Sequence, residues 1–175
     1  IGDTVIVERA GDIIPYIVKS IPGENRKKVE IDTCPFCGKK LVAYDTAVRC
    51  LNEECSEKII QKLYFSLVTL GFKNVGEAYV RKLVSILNIS KLSQIFQLKV
   101  ADLEDDAFGD KIKSTFFSEL EKARNASPED FLVALNIDSL GKNVAKLLLQ
   151  NFDFEDIVTG KFDSSRLESI HGIGK

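Results

Sequence analysis

Long apolar runs are absent from this 175-residue sequence, as are a recognisable signal peptide and an initiating methionine. No run approaches the ~18 apolar residues that a membrane-spanning helix needs, so we expect no membrane partner. Without a signal peptide, nothing in the sequence predicts secretion. Because the sequence starts at Ile1 rather than at methionine, we expect it to be a piece of a longer protein.

An excess of positive charge is also missing, since the formal net charge is −2. On its own this value argues weakly against a nucleic-acid partner. The charges are unevenly distributed, however: residues 34–100 hold ten Lys/Arg and five Asp/Glu, whereas residues 101–175 hold nine and fifteen. A polyanion would therefore favour residues 34–100. An uneven surface charge without a function explains the same counts equally well.

Cysteine is scarce but concentrated. The four cysteines fall within 22 residues with the spacing C-x2-C-x12-C-x4-C, at Cys34, Cys37, Cys50 and Cys55. Two short pairs across a medium loop suit one tetrahedral metal ion. Four thiolates leave no position for a catalytic water, so the pattern predicts structural zinc. A rubredoxin-like iron site, two disulfides and free buried thiols are the alternatives, and disulfides would need a secreted context.

Histidine occurs once, at position 171. A lone histidine is able to serve as a metal ligand or a general base. The four cysteines already complete a tetrahedral shell, however, and this favours a residue that lines a turn.

The pattern of residues changes along the chain. The β-rich runs Thr4–Val7 and Ile13–Val18 flank a turn at Gly11, and two strands do not form a stable sheet alone. From Ile59 onwards, apolar residues at spacings of three and four predict helices. The predicted segments are the end of a β domain at 1–24, a linker at 25–33, a metal module at 34–58 and a helical domain at 59–175. The predicted fold class is therefore mainly α, preceded by a small four-cysteine module and a short β segment.

A repeat of about 33 residues runs through the helical part. It is marked by four glycines that lie 33, 32 and 33 residues apart, each after an apolar residue: Gly76, Gly109, Gly141 and Gly174. Apolar residues three, seven and eight positions after each of the first three glycines predict one stripe on a helix that begins at the glycine. These are Tyr79, Leu83 and Val84; Ile112, Phe116 and Phe117; and Val144, Leu148 and Leu149. The unit is helix, short turn, helix, and the fourth copy is truncated.

Such a turn suits an anion. Glycine permits close approach of a ligand to the backbone, and the next helix presents unpaired N–H groups and the positive end of its dipole. Together they hold a phosphate without a basic side chain. The alternative is that each glycine only connects two packed helices. One turn alone favours that alternative, whereas four turns in register favour phosphate binding.

The apolar-Gly turn before a helix resembles the helix-hairpin-helix motif of DNA-binding proteins that lack sequence specificity. The fullest form is Gly172-Ile173-Gly174, and the other copies replace the first glycine with Asn74, Ala107 or Ser139. Asparagine tolerates positive φ, so Asn74 is a mild departure. Alanine and serine tolerate it less, so the second and third hairpins are expected to be structural.

The order of the parts resembles bacterial NAD-dependent DNA ligases. The run Arg9-Ala10-Gly11-Asp12-x-Ile14-Pro15 is similar to the end of the OB domain in that family. A four-cysteine zinc finger and four helix-hairpin-helix motifs follow there in the same order. The resemblance covers essentially the whole chain.

The resemblance implies an enzyme that seals nicks in duplex DNA during replication and repair. In that family, a lysine of an upstream adenylation domain would attack NAD, form an AMP–lysine phosphoramidate and release nicotinamide mononucleotide. The AMP would then pass to the 5′-phosphate of the nick, and the 3′-hydroxyl would displace it with the help of Mg²⁺. NAD and Mg²⁺ would be bound by parts outside these residues, so we predict no catalytic residue here and no nick sealing by this chain alone. The remaining expectations are structural zinc, nicked double-stranded DNA as partner, a monomeric state and a bacterial cytoplasmic, nucleoid-associated location.

Nine residues are predicted to contact the DNA backbone: Arg9, Lys73, Asn74, Gly76, Gly141, Lys142, Gly172, Gly174 and Lys175. Gly76 and Gly174 are the preferred phosphate sites, and Gly141 is intermediate. Gly109 lies among aspartates, which favours a packing role. For Arg9, phosphate contact and assistance to an OB-domain movement compete with an ordinary solvated arginine. Two other functions remain open for the whole chain, namely a stand-alone DNA-binding adaptor and a structural protein-interaction module.

Overall fold

The computed structural model describes residues 1–10, 14–44, 47–104 and 107–173. Two compact units are present, Ile1–Asn52 and Glu53–Lys175. The described part is mainly helical, with short antiparallel strand pairs and clustered cysteines, so the predicted fold class is confirmed. Within these ranges, no helix has both the length and the apolar character that crossing a membrane requires.

The first unit begins with an antiparallel strand pair, β1 (Thr4–Ala10) and β2 (Ile14–Ile21), whose register shifts between Ile6 and Val7. Its start is fixed by Asp3, whose carboxylate accepts a hydrogen bond from the Ser20 hydroxyl at 2.7 Å and lies 3.4 Å from Arg26 Nε. All described side chains of β2 are exposed. Two shorter strands, β3 (Val42–Tyr44) and β4 (Ala47–Arg49), form a second antiparallel pair.

The second unit contains seven described α-helices and two described 3₁₀ helices. The α-helices are α1 (Ser56–Thr69), α2 (Glu77–Leu87), α3 (Leu92–Ile95), α4 (Asp110–Ala123), α5 (Pro128–Ala134), α6 (Lys142–Asn151) and α7 (Phe154–Thr159). The 3₁₀ helices are Val100–Leu103 and Ser164–Ser169. Gly76, Gly109 and Gly141 are the N-cap residues of α2, α4 and α6. The predicted start of a helix at each of these glycines is therefore confirmed, and Gly174 lies outside the described residues.

The predicted apolar stripes mostly face the protein interior. Tyr79, Leu83 and Phe116 are buried and Leu148 is nearly so, at 9% exposure. Ile112 is the exception, because its side chain is 44% exposed. The prediction was wrong for this residue: it lies on the first turn of α4, whose first buried residue is Phe116.

Two clusters of apolar side chains form the core of the second unit. The larger one is contributed mainly by α1, α2 and α4 and centres on Leu67, Leu83, Phe108 and Phe116. The smaller one joins α5, α6 and α7 through Leu132, Val133 and Ala145. A buried hydrogen bond from Ser66 Oγ to the carbonyl oxygen of Ala134, at 2.6 Å, connects α1 to the end of α5. The helix-turn-helix units thus pack against one another and hold their turns in place.

Candidate metal centre and hairpin turns

The four cysteine sulfurs lie together, all within 4.8 Å of one another. Cys34 and Cys37 belong to one tight turn, in which the N–H of Gly38 donates to the carbonyl oxygen of Cys34 at 2.9 Å. Gly38 has φ +68°, a conformation that glycine adopts without strain. Cys50 follows β4, and Cys55 is the N-cap of α1. The four thiols predicted as ligands are therefore brought together, and the cluster is able to hold a metal ion.

The geometry of this cluster fits a tetrahedral ion. With metal–sulfur bonds of about 2.3 Å, neighbouring sulfurs of a tetrahedron lie about 3.8 Å apart. The Sγ atoms of Cys37 and Cys50 are 3.6 Å apart. Cys34 and Cys55 are buried, whereas Cys37 and Cys50 are half-buried. The donor set is all sulfur, which favours a soft or borderline ion such as zinc.

Ionisation of the cluster also favours a cation. A hydrogen bond from the backbone N–H of Lys39 is the largest cause that lowers the pKa of the Cys37 thiol, to about 6. The backbone N–H of Asn52 lowers the pKa of Cys50, but desolvation and the neighbouring sulfurs outweigh it and raise the value to about 11. Thiolates this close repel one another, and a divalent ion in their centre would remove the repulsion.

The first and third hairpin turns share one backbone conformation. Gly71 and Asn136 have φ of 85° and 52°, and three residues later Asn74 and Ser139 have φ of 61° and 66°. Asn136 and Ser139 lie 65 residues after Gly71 and Asn74. The N-cap glycines of the following helices, Gly76 and Gly141, are also 65 residues apart. Gly172, at the matching place of the fourth hairpin, has φ of 100°. Ser139 thus adopts the left-handed region although serine tolerates it less than glycine or asparagine. The structural role expected for the third hairpin from its serine stays untested.

The turn of the second hairpin is bonded to the first hairpin. The carbonyl oxygen of Ala107 accepts a hydrogen bond from Lys82 Nζ, on α2, at 2.6 Å. Asp105 and Asp106, directly before Ala107, lie outside the described residues. The structural role expected for this hairpin therefore stays a prediction.

In the first turn, buried and exposed residues alternate. Phe72 and Val75 are 7% and 5% exposed and anchor the turn to the core. Lys73, Asn74 and Gly76 are exposed. The three residues predicted to contact DNA in this hairpin therefore lie on one accessible loop.

The helices that follow the turns start without a side-chain cap. Gly76, Gly109 and Gly141 provide no capping hydrogen bond, whereas Ser127 at the start of α5 accepts one from the N–H of Asp130. A Cβ added at any of the three glycines would meet no described atom within 4 Å, and their φ values are negative. The described fold does not itself need glycine at these positions, so the space above each helix terminus is available to a ligand.

The charges around the three helix starts are unlike. Glu77 lies in the first turn of α2, where it bonds to Arg81, and Asp110 lies in the first turn of α4. The first turn of α6 has no acidic residue and begins with Lys142, whose Nζ is 3.6 Å from Asp130 Oδ1. The electrostatics therefore suit an anion best at Gly141, the turn ranked only intermediate from the sequence.

Three of the predicted contact residues are not part of these described turns. Arg9 lies on β1, in the first unit. Gly174 and Lys175 lie outside the described residues. Their role in DNA contact stays a prediction.

We predict that Ser139→Gly stabilises the protein by about 0.5 kcal/mol. Relief of a left-handed serine, worth roughly 1 kcal/mol or more, exceeds the extra entropy of glycine in the unfolded chain. The measurement is the urea midpoint of unfolding, with an unchanged slope of the unfolding free energy against urea concentration. Ser85→Gly, at an exposed position inside α2, is the matched control and should destabilise by about 0.5 kcal/mol. Equal destabilisation by both substitutions would show that Ser139 is not strained.

Almost the whole chain aligns with known proteins that share one name. No protein-family profile matches the chain. Curated proteins named DNA ligase do: the chain is 34% identical to one from Thermotoga maritima over 186 residues, 33% to one from Thermosipho africanus over 185, and 31% to one from Desulfosudis oleivorans over 183. Each alignment covers 99% of this chain but only 27% or 28% of the relative. The chain thus spans about a quarter of the length of these relatives. The resemblance inferred from the sequence is confirmed: almost the whole of this chain is homologous to one segment of DNA ligases.

Proposed function

We propose that the chain is the zinc-containing, DNA-binding segment of an NAD-dependent DNA ligase. In this proposal it holds the backbone of duplex DNA at a nick, while other parts of the parent enzyme bind NAD and Mg²⁺ and carry out the chemistry. The chain itself contributes no catalytic residue. Homology to DNA ligases over 99% of its length is the observation that carries the proposal.

The hairpin turns supply a physical means of binding. An uncapped helix start at an exposed glycine offers backbone N–H groups and a positive dipole end to a phosphate. Contacts of this kind position a protein on DNA and carry no sequence information. The first, third and fourth hairpins share the left-handed residue before the apolar-Gly step, so we propose them as the DNA contacts. The second hairpin, with Ala107 and Asp110, is proposed to have a packing role.

Zinc is the proposed metal, held by Cys34, Cys37, Cys50 and Cys55. A full shell of four thiolates leaves no open position, so the ion would act in folding and not in catalysis. The segment boundaries at 24/25, 33/34 and 58/59 and the OB origin of the first strands are part of the same proposal. All described side chains of β2 are exposed, and this supports the proposal that further strands of an OB domain cover this strand pair in the parent protein.

DNA binding is tested by fluorescence anisotropy with the zinc-loaded chain and a labelled nicked duplex. Because backbone contacts release counterions, we expect the logarithm of the affinity to fall linearly with the logarithm of the salt concentration. Two nicked duplexes of unrelated sequence should bind equally. Absence of binding at low salt with micromolar protein would favour a protein-interaction module, and a strong preference for one sequence would contradict contact through the backbone.

Nick sealing by the chain alone is not expected. Incubation with nicked DNA, NAD and Mg²⁺ should leave the nick open, because the adenylated lysine would lie in another part of the parent enzyme. The monomeric state and a location in the cytoplasm with the nucleoid are further parts of the proposal. Analytical ultracentrifugation tests the first of them.

A further inference from the structure

A buried carboxylate lies beneath the first hairpin turn. Glu119, on α4, is only 7% exposed. Its Oε2 accepts a hydrogen bond from the backbone N–H of Lys73 at 2.9 Å, and its Oε1 accepts one from Lys122 Nζ at 2.6 Å. The carboxylate therefore connects the second helix of hairpin two to the turn of hairpin one. Both bonds lower the pKa of Glu119, the bond from Lys122 most strongly, so the group is ionised at neutral pH.

The connection is reciprocal. Lys82, on the second helix of hairpin one, donates from Nζ to the carbonyl oxygen of Ala107 in the turn of hairpin two. Aromatic contacts connect the two hairpins in the same reciprocal way. Phe72 in the first turn packs on Phe116 of α4 at 5.8 Å between ring centroids, and Phe108 in the second turn packs on Tyr79 of α2 at 5.5 Å. Each turn is thus held by the second helix of the other hairpin.

The position of the bond gives it a consequence for ligand binding. Lys73 immediately precedes Asn74, whose φ of 61° lies in the left-handed region that asparagine tolerates. Surrounding contacts help to hold a residue other than glycine in this sparsely populated region. The bond to Glu119 fixes the peptide just before Asn74, and Lys122 neutralises the carboxylate, so the turn gains a fixed backbone without an unbalanced negative charge beside it.

We propose that Glu119 is a positioning residue for DNA binding by the first hairpin. It holds the Lys73–Gly76 turn in the conformation that presents the start of α2 to a phosphate, and the second hairpin acts as a support for the first. This inference rests on the proposed DNA-binding function. It assigns to hairpin two, through Glu119 on α4, a role in DNA binding that needs no contact of its own turn with DNA.

The test compares two variants of the zinc-loaded full chain. Glu119→Met keeps the side-chain volume and removes the acceptor, whereas Glu119→Gln keeps an acceptor oxygen. We expect the Kd for labelled nicked duplex to rise about five-fold in E119M, a typical effect of a residue that acts through another, and less than about two-fold in E119Q. Glu121→Met is the control, since Glu121 is exposed on the same helix and bonds to Arg124 at 3.0 Å. It should bind like the wild type.

A second readout separates positioning from general stability. In ¹⁵N–¹H spectra without DNA, the amide resonances of Lys73 and Asn74 should move in E119M, while those of Ser139 and Leu140 stay in place. Unchanged DNA affinity in E119M would overturn the inference and leave the proposed function standing. Failure of the wild type to bind DNA would overturn both. Equal losses in E119M and E119Q with an unmoved Lys73 amide would also overturn it. If E119M does not fold, E119Q decides, because its weaker acceptor must still shift the Lys73 amide.

Discussion

Replacing Cys34 with serine is expected to abolish stoichiometric zinc binding and to unfold the segment around residues 31–55. Among the described residues of this segment, only Cys34 and Cys55 are buried. Its strands β3 and β4 have three residues each. With so little apolar burial among its described residues, this segment would depend on a bound metal ion for its stability. Apparent binding free energies of structural zinc sites, roughly 10–16 kcal/mol, match or exceed the stability of whole domains.

Metal analysis and NMR spectra provide the measurements for Cys34→Ser. We expect one zinc ion per wild-type chain, much less than one in the variant, and collapsed amide dispersion for residues 33–50. Phe36→Ser is the matched control, because Phe36 lies in the same turn but its side chain is 60% exposed. It should retain zinc and dispersion. A Cys34→Ser protein that keeps a full equivalent of zinc with native spectra would contradict the assignment of the site.

The same sample distinguishes zinc from the alternatives. An iron–thiolate site is coloured, whereas zinc is spectroscopically silent. Two disulfides would leave no titratable thiol after metal removal in denaturant, whereas the zinc site would release four. Chelation should leave the helical signal largely unchanged, because the two apolar clusters of the helical unit are built from residues beyond Lys58.

Local rules explain which features of the fold were predictable. A glycine at a helix start, an apolar stripe at helical spacing and a C-x2-C turn each depend on residues a few positions apart. For that reason the starts of α2, α4 and α6 and the clustering of the cysteines were predicted correctly. Ile112 was predicted wrongly because burial depends on what lies opposite, and the stripe pattern does not contain that information.

The hairpin turns show where sequence reasoning stops. Serine has no intrinsic preference for positive φ, so residue type does not predict the left-handed conformation of Ser139. The leucines six residues before Gly76, Gly109 and Gly141 mark the repeat but carry no information on φ. Comparison of the repeats does not identify Glu119 either. Its bond to Lys73 spans 46 residues and depends on how α4 packs.

Aspartate in place of Gly76 and Gly141 is expected to stabilise the protein while it abolishes most DNA binding. Both glycines are N-cap residues with negative φ and free space for a side chain. Aspartate caps a helix slightly better than glycine and interacts favourably with the dipole, so each substitution should add a few tenths of a kcal/mol to the free energy of unfolding. The same carboxylate would occupy the proposed phosphate position and repel DNA. If these glycines served only in packing, the substitutions would not raise the free energy of unfolding while they weaken DNA binding.

Anisotropy with nicked duplex and urea unfolding measure the two effects on the same double variant. We expect the Kd to rise about 100-fold, equivalent to roughly 2.7 kcal/mol, because two phosphate contacts are replaced by like charges. The slope of log Kd against log salt should also become shallower. Gly109→Asp is the control: it makes the same chemical change at the N-cap of α4, in the hairpin proposed not to touch DNA, and its Kd should change little. If Gly109→Asp weakened binding as much as the double variant does, the loss would reflect general charge repulsion, and the assignment of phosphate contacts to particular hairpins would be wrong.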